Sequence, residues 1–388
     1  MFYQFFKYFL NYIFRAKTRQ RLIFISIIGL FLSSFALLVM SSVMGGLQKK
    51  LIERSKKVEG EFLVKIHDED SYAAVKLMAE LSTLEVPYFA EYEIELLLKS
   101  GNQISPTVLH GLEQSRLPDF IKDKDFKGII LGADLGSKLQ IDFYSQMGLI
   151  SPAHTESFLG DIPRQELTEV SDFFVSELNE IDLYHSWTRL ALVQNLIRKH
   201  AINRLRFYDR SYLPVVEKLL KKEFGTDEVT LQTWEDVHEA LVWSLNLETT
   251  VMLILFISMS FLIAMTITSG FMIFFDKVKR DFASFWILGS SNHTLMRMAR
   301  NLCNLLSLVS CLIGVAIGLV FLWLMDHYAP NVMPAVFVER KIPILITWQG
   351  IIMAFVIPYC ISMVFSFFSL SFFRKENSSF LEIIRQVG

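Results

Sequence analysis

Residues Thr249–Arg300 decide the fold. They comprise an uncharged run, TTVMLILFISMSFLIAMTITSGFMIFF (Thr249–Phe275), and then a basic segment, DKVKRDFASFWILGSSNHTLMRMAR (Asp276–Arg300). About 20 apolar residues cross a hydrocarbon core of about 30 Å, so the first run predicts a transmembrane helix. Another uncharged run, Asn301–Met325, begins directly after the basic segment. The chain is therefore expected to leave the membrane only briefly between two spans.

Two further apolar runs complete the membrane part. They lie at Leu22–Val43, assigned as a span over 22–44, and within Ile342–Phe373, assigned as a span over 348–373. The first run is too long and too far from the N-terminus for a cleaved signal peptide, and no small-residue cleavage site follows it. The chain is 52% hydrophobic. We predict an α-helical membrane protein with four transmembrane helices and a large α+β domain between helices 1 and 2.

The orientation of these spans follows from the charges that flank them. Residues 1–21 carry five basic and no acidic residues, 276–300 carry five against two, and 374–388 carry three against two. Short cytoplasmic segments are rich in Lys and Arg, so both termini are predicted to be cytoplasmic. Residues 1–21 also repeat aromatic residues at helical spacing, which indicates an amphipathic interfacial helix or a simple cytoplasmic cap. The connection over 326–347 is then external.

The external domain, 45–248, has 23 Lys and Arg against 34 Asp and Glu, a balance of −11. It contains no cysteine, so its own core must hold it together. Strand and helix patterns predict an α+β subdomain, resembling a porter domain, over 45–124 and 203–248, and an inserted β-rich subdomain over 125–202. The alternation of Glu91, Glu93 and Glu95 with apolar residues indicates a strand. Three aligned glutamates could bind a metal, but the pattern favours a solvated face of a sheet.

Two backbone features bear on the connection of this domain to the membrane. No Gly or Pro occurs from Trp234 to Ser269, which predicts one continuous helix into the second span. Gly45-Gly46, after the first span, indicates a flexible point.

Motifs for catalysis do not occur in the sequence. It contains no G-x-x-x-x-G-K-[ST] for nucleotide phosphates, no H-E-x-x-H for zinc and no nucleophile elbow. The interiors of the apolar runs contain no ionisable residue of the kind that ion relays need. We therefore expect a non-catalytic subunit that binds no metal and no cofactor of its own.

The basic segment has a second property. Phe282, Phe285, Trp286 and Gly289 share one helical face, and a helix that exposes such large groups to the cytoplasm needs something to bury them. Either a partner protein or the lipid interface would serve, and the pattern alone favours neither.

The order of several motifs resembles the LolC/LolE-type lipoprotein-releasing permeases, type VII ABC transporters of the MacB/FtsX superfamily. The resemblance covers almost the whole chain. It is carried by SVMGGLQKKLIERSKKVEG, GIILGADLGSKL, LISP, FLGDIPRQELTEVSDFFVSELNEIDLYHSW, TWEDVHEALVWSLNLETTVM and DKVKRDFASFWILGSSNHTLMRM. Gly45 stands where the family usually has Asn, and Thr249 stands where it has Lys.

The resemblance implies a function and a set of partners. Such permeases extract triacylated lipoproteins from the bacterial inner membrane and pass them to a periplasmic carrier. ATP and Mg²⁺ are bound by a separate cytoplasmic ATPase, present in two copies, and the permease pairs with a second permease or with itself. No nucleic acid is involved.

The resemblance also assigns three groups of site residues. The ATPase-coupling helix comprises Lys279, Arg280, Phe282, Phe285, Trp286, Leu288 and Gly289. The carrier-binding hook loop maps to Ser151–Arg164, with Pro152, Phe158, Leu159, Ile162, Pro163 and Arg164. The lipid and cargo cavity would involve Met40, Val43, Met44, Glu248, Met252, Phe256 and Met259.

Three other interpretations share parts of this pattern. A mechanotransmitting efflux permease typically has its ATPase fused to it, and this sequence contains no such domain. An FtsX-like division permease has the same topology but moves nothing and activates cell-wall hydrolases. A membrane-anchored scaffold would have no ATPase at all.

Overall fold

The computed structural model describes residues 21–67, 72–156, 162–225, 227–287, 289, 291–328 and 342–376. The chain forms two compact units, which we call the sheet domain (Lys49–Trp243) and the helical unit (residues up to Gln48 and from Ser244 onward). Residues 1–20 of the predicted amphipathic helix, most of the predicted external connection (329–341) and most of the C-terminal tail (377–388) lie outside the described residues.

The helices are α1 (Arg21–Glu59), α2 (Ala73–Thr83), α3 (Ala133–Lys138), α4 (Asn179–Tyr184), α5 (Leu190–Ile197), α6 (Leu213–Glu223), α7 (Trp234–Val237), α8 (Glu239–Ile287), α9 (Asn292–Tyr328) and α10 (Trp348–Glu376), with a 3-10 turn at Arg210–Tyr212. The strands are β1 (Phe62–Ile66), β2 (Phe89–Ser100), β3 (Gln103–Leu112), β4 (Ile129–Gly132), β5 (Gln146–Glu156), β6 (Ile162–Phe174), β7 (His185–Arg189), β8 (Arg204–Phe207) and β9 (Val229–Thr233).

Within the described residues, four helical stretches are long and apolar enough to cross a membrane: Ile27–Glu59, Glu239–Gly270, Met296–Tyr328 and Trp348–Ser369. They belong to α1, α8, α9 and α10, in agreement with the four spans expected from the sequence.

Small residues let the helices of the helical unit approach one another closely. A Cβ on Gly314 would lie 2.5 Å from the carbonyl oxygen of Phe31, so α9 meets the backbone of α1 there. Serine hydroxyls add hydrogen bonds between helices, from Ser33 to Ser260 at 3.0 Å and from Ser307 to Ser362 at 2.7 Å. Packing of small residues and interhelical hydrogen bonds is the usual basis of helix association in membranes.

Gly46 is a packing position. It lies inside α1, and a Cβ there would meet the carbonyl oxygen of Pro343 at 2.2 Å. The extended segment 342–347 runs past α1 at this point, where the Leu345 N–H donates to the Ser42 carbonyl at 2.9 Å. The expectation of a flexible point at Gly45-Gly46 is therefore wrong, since the helix continues through both residues and uses Gly46 for close contact.

The sheet domain is built on one nine-stranded sheet in the order β3-β7-β4-β6-β5-β2-β8-β1-β9. Because β2 also pairs with β3, six strands (β2, β3, β7, β4, β6 and β5) pair in a closed ring. The first residues of the long strand β2 pair with β8, and its later residues pair with β5. Strand β2 therefore joins the ring to the open part of the sheet.

Two of the three apolar clusters among the described residues of the sheet domain match these two parts. Inside the ring, fully buried residues such as Leu98, Leu109 and Leu149 pack together. On the open part, α2 and α6 cover β1 and β8, with Leu77 and Phe207 in the core. From the sequence, we predicted that the residues of β2 and β3 belong to the first subdomain and that the insertion begins at residue 125. In the structure, both strands belong to the ring.

The helix expected from Trp234 onward is interrupted. Thr233 caps α7 with a capping box in which its hydroxyl accepts from the Asp236 N–H, but α7 ends at Val237 and α8 begins at Glu239. His238 has non-helical torsion angles, φ −108° and ψ 38°, which explains the interruption in a stretch without Gly or Pro.

Candidate functional site

An apolar cavity of about 140 Å³ lies between α1, α8 and α10 in the helical unit. Because these helices are apolar all round, most of the surface that they present to one another is aliphatic, thioether or aromatic. Its lining is formed by Leu37, Ser41, Met44, Gly45, Gln48, Thr249, Met252, Leu253, Phe256, Gly350, Met353 and Ile357. Three methionines contribute flexible, polarizable side chains that adapt to occupants of different shape.

One end of the cavity is polar. The Gln48 side-chain amide on α1 donates to the Glu248 carboxylate at 3.2 Å and lies 3.3 Å from the Thr249 hydroxyl. The same amide group donates to the Leu245 carbonyl at 3.3 Å. Glu248 and Thr249 are exposed, so the cavity is apolar along its length and has hydrogen-bonding groups at this end.

The structure brings together part of the set predicted for this cavity. Met44, Met252 and Phe256 line it, and Glu248 lies at its polar end. Met40 and Met259 are exposed and Val43 packs into the core of the helical unit, so these three do not line the cavity.

Sequence reasoning missed the contribution of α10. Gly350, Met353 and Ile357 recur every three or four residues, which places them on one face of that helix. This spacing was a usable signal, but the residues between these three are also apolar, and so the lining face did not stand out.

The predicted coupling segment is shaped differently from the short helix within a loop that the sequence suggested. Helix α8 continues without a break from Glu239 to Ile287, and α9 begins at Asn292. Gly289 has φ +96°, a left-handed conformation that glycine adopts without steric cost. The Ser291 hydroxyl then accepts from the Thr294 N–H at 3.2 Å and caps α9.

The predicted coupling residues fall around this turn. Phe285 is half-buried, and Lys279, Arg280, Phe282 and Trp286 are placed on α8 by their backbone alone, since their side chains lie outside the described part of the structure. Leu288 lies outside the described residues.

The predicted hook loop is the end of a β-hairpin formed by β5 and β6. Pro163 pairs with Thr155 and Ile162 with Glu156 at the last described residues, and Phe158 and Leu159 lie outside the described residues. Pro152 is exposed on β5. The Arg164 guanidinium donates to the Ile197 carbonyl of the same domain at 2.6 Å, so this side chain supports the hairpin from its base.

A comparison with protein families matches residues 251–378 to the model described as FtsX-like permease C-terminal. A comparison with curated proteins gave no match. Among solved structures, the extracellular domain of the noncanonic ABC-type transporter YknZ from Gram-positive bacteria is similar at 8% identity and a TM-score of 0.28, over 44% of this chain and 98% of that chain. A TM-score of this size supports no conclusion about a shared fold.

Proposed function

We propose that this chain, whose residues 251–378 match the FtsX-like permease C-terminal model, is a permease subunit of an ABC transporter and extracts lipoproteins from a bacterial inner membrane. FtsX-like permeases are generally non-catalytic membrane subunits that act with a partner ATPase. The proposal adds the cargo, the receiving carrier and the route of energy transfer.

The apolar cavity between α1, α8 and α10 is the observation that carries the proposal. A cavity of about 140 Å³ is close to the engineered cavity of about 150 Å³ that binds benzene, so it accommodates part of one acyl chain. Its polar end at Gln48, Glu248 and Thr249 suits the ester and amide groups that join acyl chains to a lipoprotein.

Extraction needs an external source of energy. Each methylene that leaves lipid for water costs about 0.8 kcal/mol, and three acyl chains contain dozens of them. The sequence has no phosphate-binding P-loop, so in this proposal a separate cytoplasmic ATPase supplies the energy and binds ATP and Mg²⁺. The chain pairs with a second permease or with a second copy of itself.

Energy enters, in this proposal, at the turn between α8 and α9. The basic residues Lys279 and Arg280 and the aromatic face that includes Phe285 would dock into the ATPase, with the turn at Gly289 inside the cell. Because α8 is continuous, motion of its end would reach the cavity residues Met252 and Phe256 through one rigid element.

The proposed receiver is a periplasmic carrier that binds at Ser151–Arg164, with Phe158, Leu159, Ile162 and Pro163 as the expected contacts. Both termini would be cytoplasmic and the sheet domain periplasmic, as the basic flanks of the spans predict.

The coupling step can be tested by co-purification. A tagged chain is expected to bring down a nucleotide-hydrolysing subunit, and Trp286→Ala and Gly289→Trp are expected to abolish lipoprotein release. Trp323→Ala is the matched control, because Trp323 is 60% exposed on α9 away from the turn. If no ATPase co-purifies and neither variant changes release, the chain is better interpreted as a membrane-anchored scaffold without an ATPase.

An FtsX-like division permease remains the second candidate, since the family match covers that class equally. Depletion of the chain separates the two. Accumulation of lipoproteins in the inner membrane with normal septation supports extraction, whereas normal lipoprotein sorting with defective septation supports the division role.

A further inference from the structure

A cluster of Glu91, Glu93 and His110 lies in the sheet domain, beside a cavity of about 250 Å³. Strand register explains the cluster. Glu93 on β2 lies directly opposite His110 on β3, and Glu91, two residues earlier on β2, points to the same face.

His110 is only 4% exposed, and its Nδ1 has no hydrogen-bond partner among the described residues. That atom lies 3.7 Å from Glu91 Oε2 and 3.7 Å from Glu93 Oε2. The other ring nitrogen, Nε2, lies 2.9 Å from Nδ1 of His185.

The contact between His110 Nε2 and His185 Nδ1 is the one expected when His110 carries its proton on Nε2. When the His110 Nε2–H donates to His185, the lone pair of His110 Nδ1 faces two carboxylate oxygens. All three acceptor atoms lie within 4.8 Å of one another. A cation placed among them would satisfy all three.

We propose that Glu91, Glu93 and His110 bind one divalent transition-metal ion, with Zn²⁺ as the representative. Bond lengths of about 2.0–2.2 Å to nitrogen and oxygen place neighbouring ligands of a tetrahedral zinc ion roughly 3.4 Å apart. The two distances from His110 Nδ1 to the carboxylates, both 3.7 Å, are near this value. A ligating histidine normally donates its second N–H to an acceptor. His185 Nδ1, 2.9 Å from His110 Nε2, would be that acceptor. Ca²⁺ and Mg²⁺ fit poorly, because they prefer six or more oxygen ligands.

Two arginines orient the carboxylates. Arg206 donates to Glu91 Oε1 from Nε at 3.0 Å and from Nη2 at 2.6 Å, which leaves Oε2 available to a metal. Arg204 Nη1 lies 2.6 Å from Glu93 Oε2, so this oxygen would be shared between the guanidinium and the metal. The positive charges lower the expected affinity below that of a structural cysteine site.

The position gives the metal a defined role. It would clamp β2 to β3 near the point where β2 passes from the closed ring to β8, with its open coordination position toward the cavity. This inference is independent of the proposed function, because it concerns the sheet domain alone and needs no ATPase for its test.

The experiment uses the full chain in detergent, without an affinity tag and stripped with a chelator. Zn²⁺ is titrated against a chromophoric competitor, and Co²⁺ is added to record the visible spectrum of a tetrahedral site. The variants are His110→Gln and Glu93→Gln, and the matched control is His200→Ala, which alters an exposed histidine of the same domain.

We expect one tight Zn²⁺ per chain in the wild type and in His200→Ala, with at least a tenfold weaker affinity in both other variants. We also expect the Co²⁺ spectrum to disappear in them. If circular dichroism shows that His110→Gln does not fold, Glu93→Gln decides alone, since it keeps the size of the side chain. Equal Zn²⁺ affinity in the wild type and Glu93→Gln, or no binding by the wild type, overturns the proposal.

Discussion

The replacement Arg206→Met should destabilise the sheet domain strongly. Arg206 and Glu91 are 5% and 2% exposed, and the guanidinium makes two hydrogen bonds to one carboxylate oxygen. Burial opposes ionisation of Glu91, but the charge of Arg206 and its hydrogen bonds hold the pKa of that carboxyl well below its ordinary value. Removing the guanidinium leaves a buried charge without its main partner, which costs about 3–5 kcal/mol.

Hydrogen exchange followed by mass spectrometry measures this cost on the full chain, peptide by peptide. Since 1.4 kcal/mol corresponds to a factor of ten, amides of β2 and β8 should exchange about 100- to 4,000-fold faster in the variant. Glu95→Gln is the control. Glu95 lies on β2 four residues after Glu91 and is exposed, so the exchange should change by less than about threefold.

A double variant separates charge from packing. Glu91→Leu with Arg206→Met removes both charges, and we expect it to recover most of the lost stability, because apolar replacement of a buried ion pair is often neutral. If Arg206→Met accelerates exchange less than tenfold, or if the double variant exchanges as fast as the single one, Arg206 does not stabilise the sheet domain by neutralising Glu91.

Three further predictions concern other parts of the chain. Burial lowers the pKa of His238, but the hydrogen bond and charge of Glu59, 2.7 Å away, raise it overall above 6.5. The stabilisation from this pair is therefore complete below pH 6.5 and lost as the pH rises through the folded-state pKa, and His238→Gln should remove that component from a series of unfolding curves. Gly314→Leu should separate α9 from α1 at Phe31 and lower the melting temperature in detergent, whereas an unchanged melting temperature would contradict the close packing. Met252→Trp should reduce lipoprotein release while ATPase binding is retained, because the larger side chain fills the apolar cavity.

Much of the membrane part was predictable because its signal is local. Runs without charge give the four helices, and no tertiary information is needed to recognise them. The interruption at His238 was not predictable, since neither Gly nor Pro marks it. The role of Gly46 depends on Pro343, which is distant in sequence, and so the glycine pair indicated flexibility where the structure has close packing.

Less of the sheet domain was predictable, because its structure depends on contacts between distant parts of the sequence. The alternating pattern of β2 correctly indicated a strand, but solvation of its glutamate face was wrong at Glu91, which is buried against Arg206. Period-two alternation identifies two faces and does not say which neighbour covers them. The partners of β2 come from β3, β5 and β8, and the closed ring depends on those long-range pairings.

The candidate cavity was partly predictable for a related reason. Of the methionines assigned to it from the sequence, Met44 and Met252 do line it. Met40 and Met259 are exposed. The neighbouring helices decide which side of an apolar helix faces a cavity. Helix α10, which supplies Met353 and Ile357, has no polar face that would mark its opposite side as the lining.

Site-specific photo-crosslinking in living cells shows whether the apolar cavity holds acylated lipoproteins. A photoreactive amino acid is placed at Met252, inside the cavity, and at Trp323, which is exposed on α9. We expect adducts with acylated lipoproteins at position 252 and adducts with phospholipid alone at position 323. Phospholipid adducts at both positions, with no lipoprotein at 252, would contradict it.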